Sequence, residues 1–277
     1  MHTQFDALII GFGKAGKTLA VALAGAGQRV ALVEQSPQMY GGTCINIACI
    51  PTKTLVSAAA AGQSIDEAFA RKTAVVTKLN NKNYHMLADN PGVMVIDGVA
   101  SFVDTHTVSV QAGEQRIELQ ADRLFINTGA VPVMPAIAGI EQTAHVYTST
   151  EVLNRQLKPQ RLAVIGAGPI GLEFASTYAA LGVEVTLYHR RAQLLPHDEP
   201  SVAQAVAQAL EAQGITLVLA SDIQQVRDTD RGVAVISSGD EQVYDAVLVA
   251  AGRQPNTSQL GLAAAGVETD ERGAIIV

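Results

Sequence analysis

The chain has 277 residues, of which 48% are hydrophobic and 16% charged, and its formal net charge is −7. This length suffices for one large or two medium domains, and an acidic chain without a Lys/Arg block is not expected to bind nucleic acid. No apolar run reaches the roughly 18 residues that a membrane span needs, and the N-terminal stretch lacks the basic start of a signal peptide. We therefore predict a cytoplasmic protein without a membrane partner.

The chain begins with the pattern of a strand, a helix and a second strand. Asp6–Gly11 is a short apolar run that ends at glycine, Lys14–Ala26 has the composition of a small-residue helix, and Arg29–Glu34 is again apolar. This order predicts a βαβ unit and therefore a parallel sheet.

The turn between the first strand and the helix reads Gly11-Phe12-Gly13-Lys14-Ala15-Gly16. Glycines at Gly11, Gly13 and Gly16 permit a tight turn and let a pyrophosphate approach the helix N-terminus. Glu34 ends the second strand, where a carboxylate can hold a ribose 2′-hydroxyl. Together they predict a dinucleotide site.

The same letters allow a second interpretation. Gly11–Thr18 also satisfies the phosphate-loop pattern of NTPases, in which Lys17 would reach the terminal phosphates and Thr18 would hold magnesium. The acid at Glu34 and a second glycine motif later in the chain favour the dinucleotide site. A P-loop NTPase remains the less favoured alternative.

The only two cysteines are Cys44 and Cys49, and this spacing favours redox chemistry over a structural staple. In an ideal helix, residues five apart are about 8.6 Å apart at Cα, beyond the roughly 7 Å limit for a disulfide. One cysteine must therefore lie outside a regular helix if the two pair. A cysteine at a helix N-terminus is expected to have a lowered pKa. Two inert cysteines remain an alternative, and a metal pair is less favoured because a second ligand pair is missing.

The middle of the chain connects this unit to a second copy of it. Pro51–Asn90 is predicted to be helical, Val93–Val110 and Ile117–Asn127 to be antiparallel strands, and Tyr147–Pro159 to hold a domain boundary. The strand, helix and strand pattern then returns in Arg161–Gly166, Ile170–Leu181 and Glu184–Tyr188. A further helix is predicted at Ser201–Gly214, and short strands at Thr216–Leu219, Val233–Ser237 and Ala246–Ala250.

The second unit has its own glycine turn, with Gly166, Gly168 and Gly171 in the same spacing. At the place of the acid it carries His189, which is followed by Arg190 and Arg191. Positive donors suit the 2′-phosphate of NADPH better than the 2′-hydroxyl of NADH. We therefore predict a nicotinamide site that prefers NADPH.

The segment Gly41–Lys53 (GGTCINIACIPTK) resembles the active-site signature of the class I pyridine nucleotide–disulfide oxidoreductases. That family includes dihydrolipoamide dehydrogenase, glutathione reductase and mercuric reductase. Asn127–Pro132 is similar to its ATGxxP segment and Ala251–Thr257 to its GRxPNT segment, and all five motifs follow in the family order. Within the family, the signature is most similar to the branch of bacterial flavoproteins that confer resistance to reactive chlorine.

The resemblance implies an α/β fold of two Rossmann-type domains, with parallel sheets and an antiparallel insertion. The FAD-binding domain would span residues 1–148, the NAD(P)-binding domain 149–265, and 266–277 would return to the first. The resemblance also implies that the C-terminal domain, which forms the homodimer in this family, is absent, so that a non-catalytic FAD- and NAD(P)-binding fragment is an alternative.

The resemblance further implies a route for electrons from NADPH or NADH through FAD to the cysteine pair. Cys49 would be the thiol next to the flavin and Cys44 the thiol that meets the acceptor, with Lys53 and Glu173 paired near the flavin. The acceptor would be a small disulfide or an oxidising metal ion of the mercuric or cupric type, and no resident metal is expected. The cofactor-binding residues would be Gly11, Gly13, Gly16, Glu34, Gly42, Thr43, Lys53, Thr128, Gly129, Gly166, Gly168, Gly171, His189, Arg190, Arg191 and Gly252.

Three positions depart from the family pattern. Ala48 replaces a glycine before the second cysteine, Pro169 stands where many members have a tyrosine that gates the nicotinamide pocket, and His189 replaces an acid of NADH-preferring members.

Overall fold

A computed structural model describes residues 3–195 and 198–277. The chain divides into two compact units. The first unit comprises Met1–Pro51, Thr73–Val131 and Gln254–Val277, and the second comprises Thr52–Lys72 and Pro132–Arg253. These limits differ from the predicted boundary after residue 148. Residues 52–72 belong to the second unit because Leu55, Ala58 and Phe69 are buried in its hydrophobic core.

The first unit is built on a mixed six-stranded sheet in the order β3-β2-β1-β6-β5-β4. Its strands are β1 (Gln4–Ile10), β2 (Val30–Glu34), β3 (Val93–Asp97), β4 (Val99–Phe102), β5 (Thr107–Ala112) and β6 (Gln115–Ile126). The strands from β3 to β6 in that order are parallel, and β6, β5 and β4 are antiparallel. The prediction of antiparallel strands across Val93–Val110 is therefore wrong for β3, which pairs in parallel with β2.

The second unit contains a parallel five-stranded sheet in the order β11-β10-β9-β15-β8 and an antiparallel three-stranded sheet. The strands of the parallel sheet are β8 (Val146–Thr148), β9 (Arg161–Ile165), β10 (Glu184–Tyr188), β11 (Thr216–Val218) and β15 (Ala246–Val249). The antiparallel strands are β12 (Ile223–Thr229), β13 (Gly232–Ser237) and β14 (Asp240–Tyr244). A separate two-stranded sheet consists of the short strands β7 (Ala130–Pro132) and β16 (Arg253–Pro255). The predicted α/β fold with parallel sheets and antiparallel strands is confirmed.

The central strands carry near-continuous apolar side chains because both faces of a parallel sheet are covered. In the first unit Leu8, Ile9 and Leu32 are completely buried, as are Leu162 and Leu187 in the second. The helices are α1 (Lys14–Gly25), α2 (Thr43–Asn46), α3 (Cys49–Ala60), α4 (Ile65–Ala88), α5 (Ser149–Arg155), α6 (Pro169–Ala180) and α7 (Pro200–Ala212), with 3₁₀ turns at Pro37–Met39 and Leu262–Ala265.

One window in the described ranges, Thr43–Ala60, meets the length and composition of a membrane span, with a mean hydropathy of 1.2. This corrects the expectation that no apolar run is long enough. The window does not form one helix, because α2 ends at Asn46 and α3 begins at Cys49. Such an interruption leaves backbone polar groups without helical partners, which is unfavourable in lipid.

Candidate functional site

The glycine turn of the first unit is sterically closed to larger residues. Gly11 has a φ of +107°, and a Cβ there would collide with the backbone carbonyl of Asn127. The Asn127 side-chain amide donates to the Gly11 carbonyl at 3.0 Å and also lies against Gly13 and Gly16. The turn therefore holds a bare backbone surface at the N-terminus of α1, which fits a dinucleotide pyrophosphate.

Glu34, at the end of β2, is hydrogen-bonded to this turn. Its carboxylate is buried and accepts the backbone N–H groups of Phe12 at 2.9 Å and Ser36 at 3.2 Å. Burial raises the pKa of Glu34, and the backbone hydrogen bonds partly oppose that effect. The side chain predicted to hold a ribose hydroxyl thus lies directly behind the glycine turn, and the first unit fits the adenosine end of FAD.

The phosphate-loop interpretation fails on its two key side chains. The Lys17 ammonium donates to Asn83 Oδ1, and the Thr18 hydroxyl donates to the Lys14 carbonyl at 2.8 Å, one helical turn back. Both groups are engaged within the protein, whereas an NTPase would aim them at phosphate and magnesium.

The cysteine pair lies on an interrupted helix, as the five-residue spacing requires. Cys44 lies in the four-residue helix α2 and Cys49 begins α3, with the break at Ile47 and Ala48. The structure holds the pair as two thiols within hydrogen-bonding contact, Cys44 half-buried and Cys49 exposed. The two sulfur groups are thus placed to form and break a disulfide.

The lowered pKa expected of a cysteine at a helix N-terminus is not found for Cys44. Burial raises the pKa of the Cys44 thiol, as do the hydrogen bond and the charge of Cys49, while the charges of Lys14 and Lys17 oppose the increase. A helix of only four residues has few aligned peptide dipoles, so α2 cannot outweigh these effects.

The turn that carries Cys44 backs onto the glycine turn. Gly42, the N-cap of α2, has a φ of +77°, and a Cβ there would lie 2.5 Å from the Cα of Gly13. Asn46 stabilises this turn, because its buried side-chain amide donates hydrogen bonds to the carbonyls of Tyr40 at 3.0 Å and Gly42 at 2.9 Å. Asn80 of α4 in turn donates to Asn46 Oδ1 at 3.0 Å.

The remaining predicted residues of the first unit flank these turns. Thr43 begins α2, and its carbonyl accepts the N–H of Ile47 at 3.0 Å. Thr128 and Gly129 follow β6, and Gly129 has a φ of +68° and accepts the backbone N–H of Asn256 at 3.0 Å.

The glycine turn of the second unit repeats the geometry of the first. Gly166 has a φ of +110°, and a Cβ there would lie 2.5 Å from the carbonyl oxygen of Ala250. Gly171, one turn into α6, packs against the Gly166 carbonyl, so it too cannot be enlarged. Gly168 differs because it is the N-cap of α6 and faces open space.

This turn opens onto a cavity of about 910 Å³ within the second unit. Its lining includes Gly166, Gly168, His189, Arg190, Arg191 and Gly252, together with Tyr188, Asp198, Ser221 and Asp222. In the described part of the chain, His189 Nε2 is buried without a hydrogen-bond partner. An orphaned ring nitrogen beside two arginines, in a cavity above a helix N-terminus, fits an anionic ligand such as NAD(P)H.

The surroundings of the His189 ring disfavour its protonated form in the free chain. Burial lowers the pKa of His189, and the charges of Arg191 and Arg190 lower it further, although a backbone hydrogen bond at Gln193 partly compensates. A bound phosphate would add negative charge beside the His189 ring and so favour its protonated form.

Lys53 and Glu173, predicted to pair, form an ion pair of 2.8 Å within the second unit. The Lys53 side chain is 65% exposed and that of Glu173 is 29% exposed, so solvent screens the attraction. Among the residues that the structure describes, Glu173 Oε1 is the second buried polar atom without a hydrogen-bond partner.

We expect Lys53→Met to change the free energy of unfolding by less than about 1 kcal/mol, because exposed ion pairs contribute little. Urea unfolding of the variant and the wild-type chain measures this difference. Glu173→Gln, which removes only the charge, serves as the matched control. A loss well above that range in both variants would show that the pair is structural.

The structure therefore collects the predicted residues within each unit. The first unit brings together the glycine turn, Glu34, Gly42, Thr43 and the cysteines, and the second brings together the nicotinamide-site residues and the Lys53–Glu173 pair. Across residues 3–195 and 198–277, no cluster of three or more His, Cys, Asp or Glu side chains forms a candidate metal site. The contacts of Asn80, Asn83 and Asn127 could not be predicted from local sequence, because each joins distant segments of the chain. The hydrogen bonds of Asn46 within the cysteine turn were not predicted either.

Comparisons with known proteins agree with this arrangement. A family model for pyridine nucleotide-disulphide oxidoreductases matches residues 5–277. The probable pyridine nucleotide-disulfide oxidoreductase RclA of Escherichia coli (strain K12) is 47% identical over 274 residues, covering 99% of this chain and 62% of that protein. A mercuric reductase of Lysinibacillus sphaericus is 36% identical over 295 residues, covering 99% of this chain and 53% of that enzyme.

A solved structure shows the same fold. The Cu(II) complex of the HOCl-induced flavoprotein disulfide reductase RclA from Escherichia coli superimposes with a TM-score of 0.97 at 46% sequence identity, covering all of this chain and 63% of that one. The chain thus spans less than two thirds of the length of these relatives. It belongs to the pyridine nucleotide-disulphide oxidoreductase family, whose members use FAD and NAD(P)H.

Proposed function

We propose that this chain carries the cofactor sites and the dithiol of a reductase that transfers two electrons from NADPH to a small disulfide or an oxidising metal ion. The observation that carries the proposal is the contact between Cys44 and Cys49 at the break between α2 and α3. Two adjacent thiols store two electrons and release them when they form a disulfide. Bound FAD would supply the connecting chemistry, since it accepts hydride from the nicotinamide and reduces a disulfide.

The chain's own residues hold the cofactors and exchange the thiols. Gly11, Gly13 and Glu34 would hold the FAD adenosine and pyrophosphate, and the cavity beside Gly168 and Arg190 would hold NADPH. The glycine turn supports this assignment because Gly11 and Gly13 leave bare backbone at the N-terminus of α1, where a pyrophosphate can approach.

With a disulfide acceptor, the Cys44 thiolate attacks one acceptor sulfur, forms a mixed disulfide and releases the first thiolate. The Cys49 thiolate then attacks the Cys44 sulfur, which releases the second thiolate and closes the Cys44–Cys49 disulfide. Over one cycle, NADPH, one proton and one acceptor disulfide become NADP⁺ and two thiols.

Relatives support both acceptor classes. One relative is named mercuric reductase, and the matching structure is a Cu(II) complex of a flavoprotein disulfide reductase. We propose that this chain shares an acceptor class with them, because its cysteine turn and α/β fold match theirs over nearly its whole length.

The test loads the oxidised chain with FAD, adds NADPH without oxygen, and counts thiols by alkylation and intact mass. We expect two new thiols per chain, and their reoxidation on addition of an aromatic disulfide or Cu(II) in separate arms. The arm that reoxidises the thiols faster identifies the acceptor class. A chain that binds both cofactors but forms no thiols would instead be a cofactor-binding protein.

We expect Arg190→Ala with Arg191→Ala to weaken NADPH binding at least about tenfold and to leave NADH binding nearly unchanged. Each guanidinium can contribute a charge-assisted hydrogen bond to the 2′-phosphate, which NADH lacks. Calorimetric titration with both nucleotides measures the ratio. An equal loss of affinity for both would contradict the assignment of the arginines to the 2′-phosphate.

The same cavity predicts a pH dependence. Because the pKa of His189 is lowered in the free chain, a bound phosphate that favours the protonated ring raises that pKa. NADPH affinity should therefore increase as pH falls through the His189 pKa of the complex, and His189→Gln should remove this part of the dependence. NADH titrated over the same range is the control.

A further inference from the structure

The first turns of α1 and α2 begin side by side. Gly13 is the N-cap of α1 and Gly42 is the N-cap of α2, and these two glycines are in close contact. Lys14 and Lys17 occupy the first turn of α1, and Cys44 occupies the first turn of α2. The contact thus places the first turn of α1, which carries both lysines, beside the first turn of α2, and the charges of both lysines act on the Cys44 thiol.

Lys17 is held in this position by α4. Its ammonium donates to Asn83 Oδ1, and the Asn83 side chain, only 4% exposed, donates in turn to the Leu79 carbonyl at 2.6 Å. Asn83 also lies under Gly41, where a Cβ would come within 3.0 Å of its Cγ. The ammonium is therefore fixed to the same turn that carries Cys44.

Among the residues that the structure describes, the charged and titratable groups with the largest effects on Cys44 are Cys49, Lys14 and Lys17. Both lysines favour its thiolate, whereas burial and Cys49 oppose it. The effect is mutual, because Cys44 raises the pKa of Lys17 against the larger, opposite effects of burial and Lys14. Two side chains of α4 contact these residues, Asn80 through Asn46 and Asn83 through Lys17, and both are neutral.

We propose that Lys14 and Lys17 form an electropositive pair that increases the reactive thiolate fraction of Cys44 against burial and Cys49, with Asn83 as the residue that positions Lys17. The inference rests on the proposed function in one respect, that Cys44 is the attacking thiol. All three are positioning residues, since they act through Cys44.

The test measures the rate of Cys44 alkylation by iodoacetamide across a pH series, in a Cys49→Ser chain without cofactors, by peptide mass. Lys14→Met with Lys17→Met should slow alkylation about three- to tenfold near neutral pH and move the pH profile to higher values. Lys17→Arg should preserve the wild-type profile. Circular dichroism and thermal unfolding verify that each variant is folded.

Lys78→Met with Lys82→Met is the matched control, because it likewise removes two positive charges, here from exposed places on α4. Lys78 lies two residues, about 200° around the helix, from Asn80, which faces the cysteine turn. Equal profiles for the double variant and this control would overturn the proposal. A double variant that binds FAD more weakly but alkylates at the control rate would assign the lysines to the cofactor phosphates instead.

A second measurement needs no lysine variant. Raising the ionic strength to about 1 M, where the Debye length falls to about 3 Å, should slow alkylation of Cys44 in the chain that retains both lysines, mainly by screening the exposed Lys14. Alkylation that becomes faster with added salt overturns the proposal. Neither measurement requires FAD or turnover, so a failure of NADPH to form thiols would reject the proposed function and leave this inference standing.

Discussion

Cys49→Ser is expected to reduce NADPH-driven turnover of a disulfide acceptor at least about a hundredfold, because the remaining thiol cannot close the internal disulfide. Cys44→Ser should cause a loss of similar size. The measurement is NADPH consumption by the FAD-loaded chain, followed at 340 nm, which is about the absorption maximum of reduced nicotinamide. The wild-type chain loaded in parallel is the reference.

The two variants should differ in what they trap. In Cys49→Ser, the thiolate of Cys44 attacks the acceptor and stays as a mixed disulfide, since no second thiol releases it. Intact mass would show one acceptor half bound per chain. An adduct on Cys49 in the Cys44→Ser variant, with no adduct in the Cys49→Ser variant, would show that Cys49 and not Cys44 attacks the acceptor. Wild-type turnover in either variant would reject the dithiol route.

Gly166→Ala is expected to lower the free energy of unfolding by about 2 kcal/mol or more. The residue has a φ of +110°, and the added methyl group would lie 2.5 Å from the carbonyl oxygen of Ala250. Neither the backbone of the turn nor that of Ala250 can move without disturbing the parallel sheet. Chemical denaturation of the variant against the wild-type chain measures the loss.

Gly168→Ala, two residues later, is the matched control, and we expect it to weaken NADPH binding but not stability. Its φ is −77° and its Cβ would meet no atom within 4 Å, so the stability of the free chain should be unchanged. The methyl group would instead occupy the approach of the pyrophosphate, and NADPH binding should weaken at least about tenfold. If Gly168→Ala binds NADPH normally, the cofactor does not lie against this turn.

Local sequence predicted the elements of the nucleotide-binding units closely. The helix predicted at Lys14–Ala26 is Lys14–Gly25, and the repeat at Arg161–Gly166 is the strand Arg161–Ile165. Strand pairing was less predictable, because the pattern of Val93–Asp97 does not indicate which strand lies beside it. The strands Ile223–Thr229 and Asp240–Tyr244 were not predicted because their exposed faces carry mostly polar residues.

The site was predictable where spacing alone determines geometry. The glycines of both turns and the interrupted helix at Cys44 and Cys49 follow from backbone geometry that any chain must obey. The lowered pKa expected of a cysteine at a helix N-terminus does not hold for Cys44, because burial and Cys49, which a helix-terminus argument omits, raise its pKa. The contact of Lys17 with Asn83 joins residues 66 positions apart, so no local pattern contains it.

The contact between Gly13 and Gly42 has a consequence for engineering this protein. Because the two backbones touch, the redox loop and the dinucleotide turn form one structural module although they lie 29 positions apart in sequence. Moving the Cys44–Cys49 loop into another scaffold should succeed only if the recipient supplies a glycine turn at the same contact. Among homologous sequences, a residue larger than glycine at position 42 should occur only where the backbone at position 13 lies farther away.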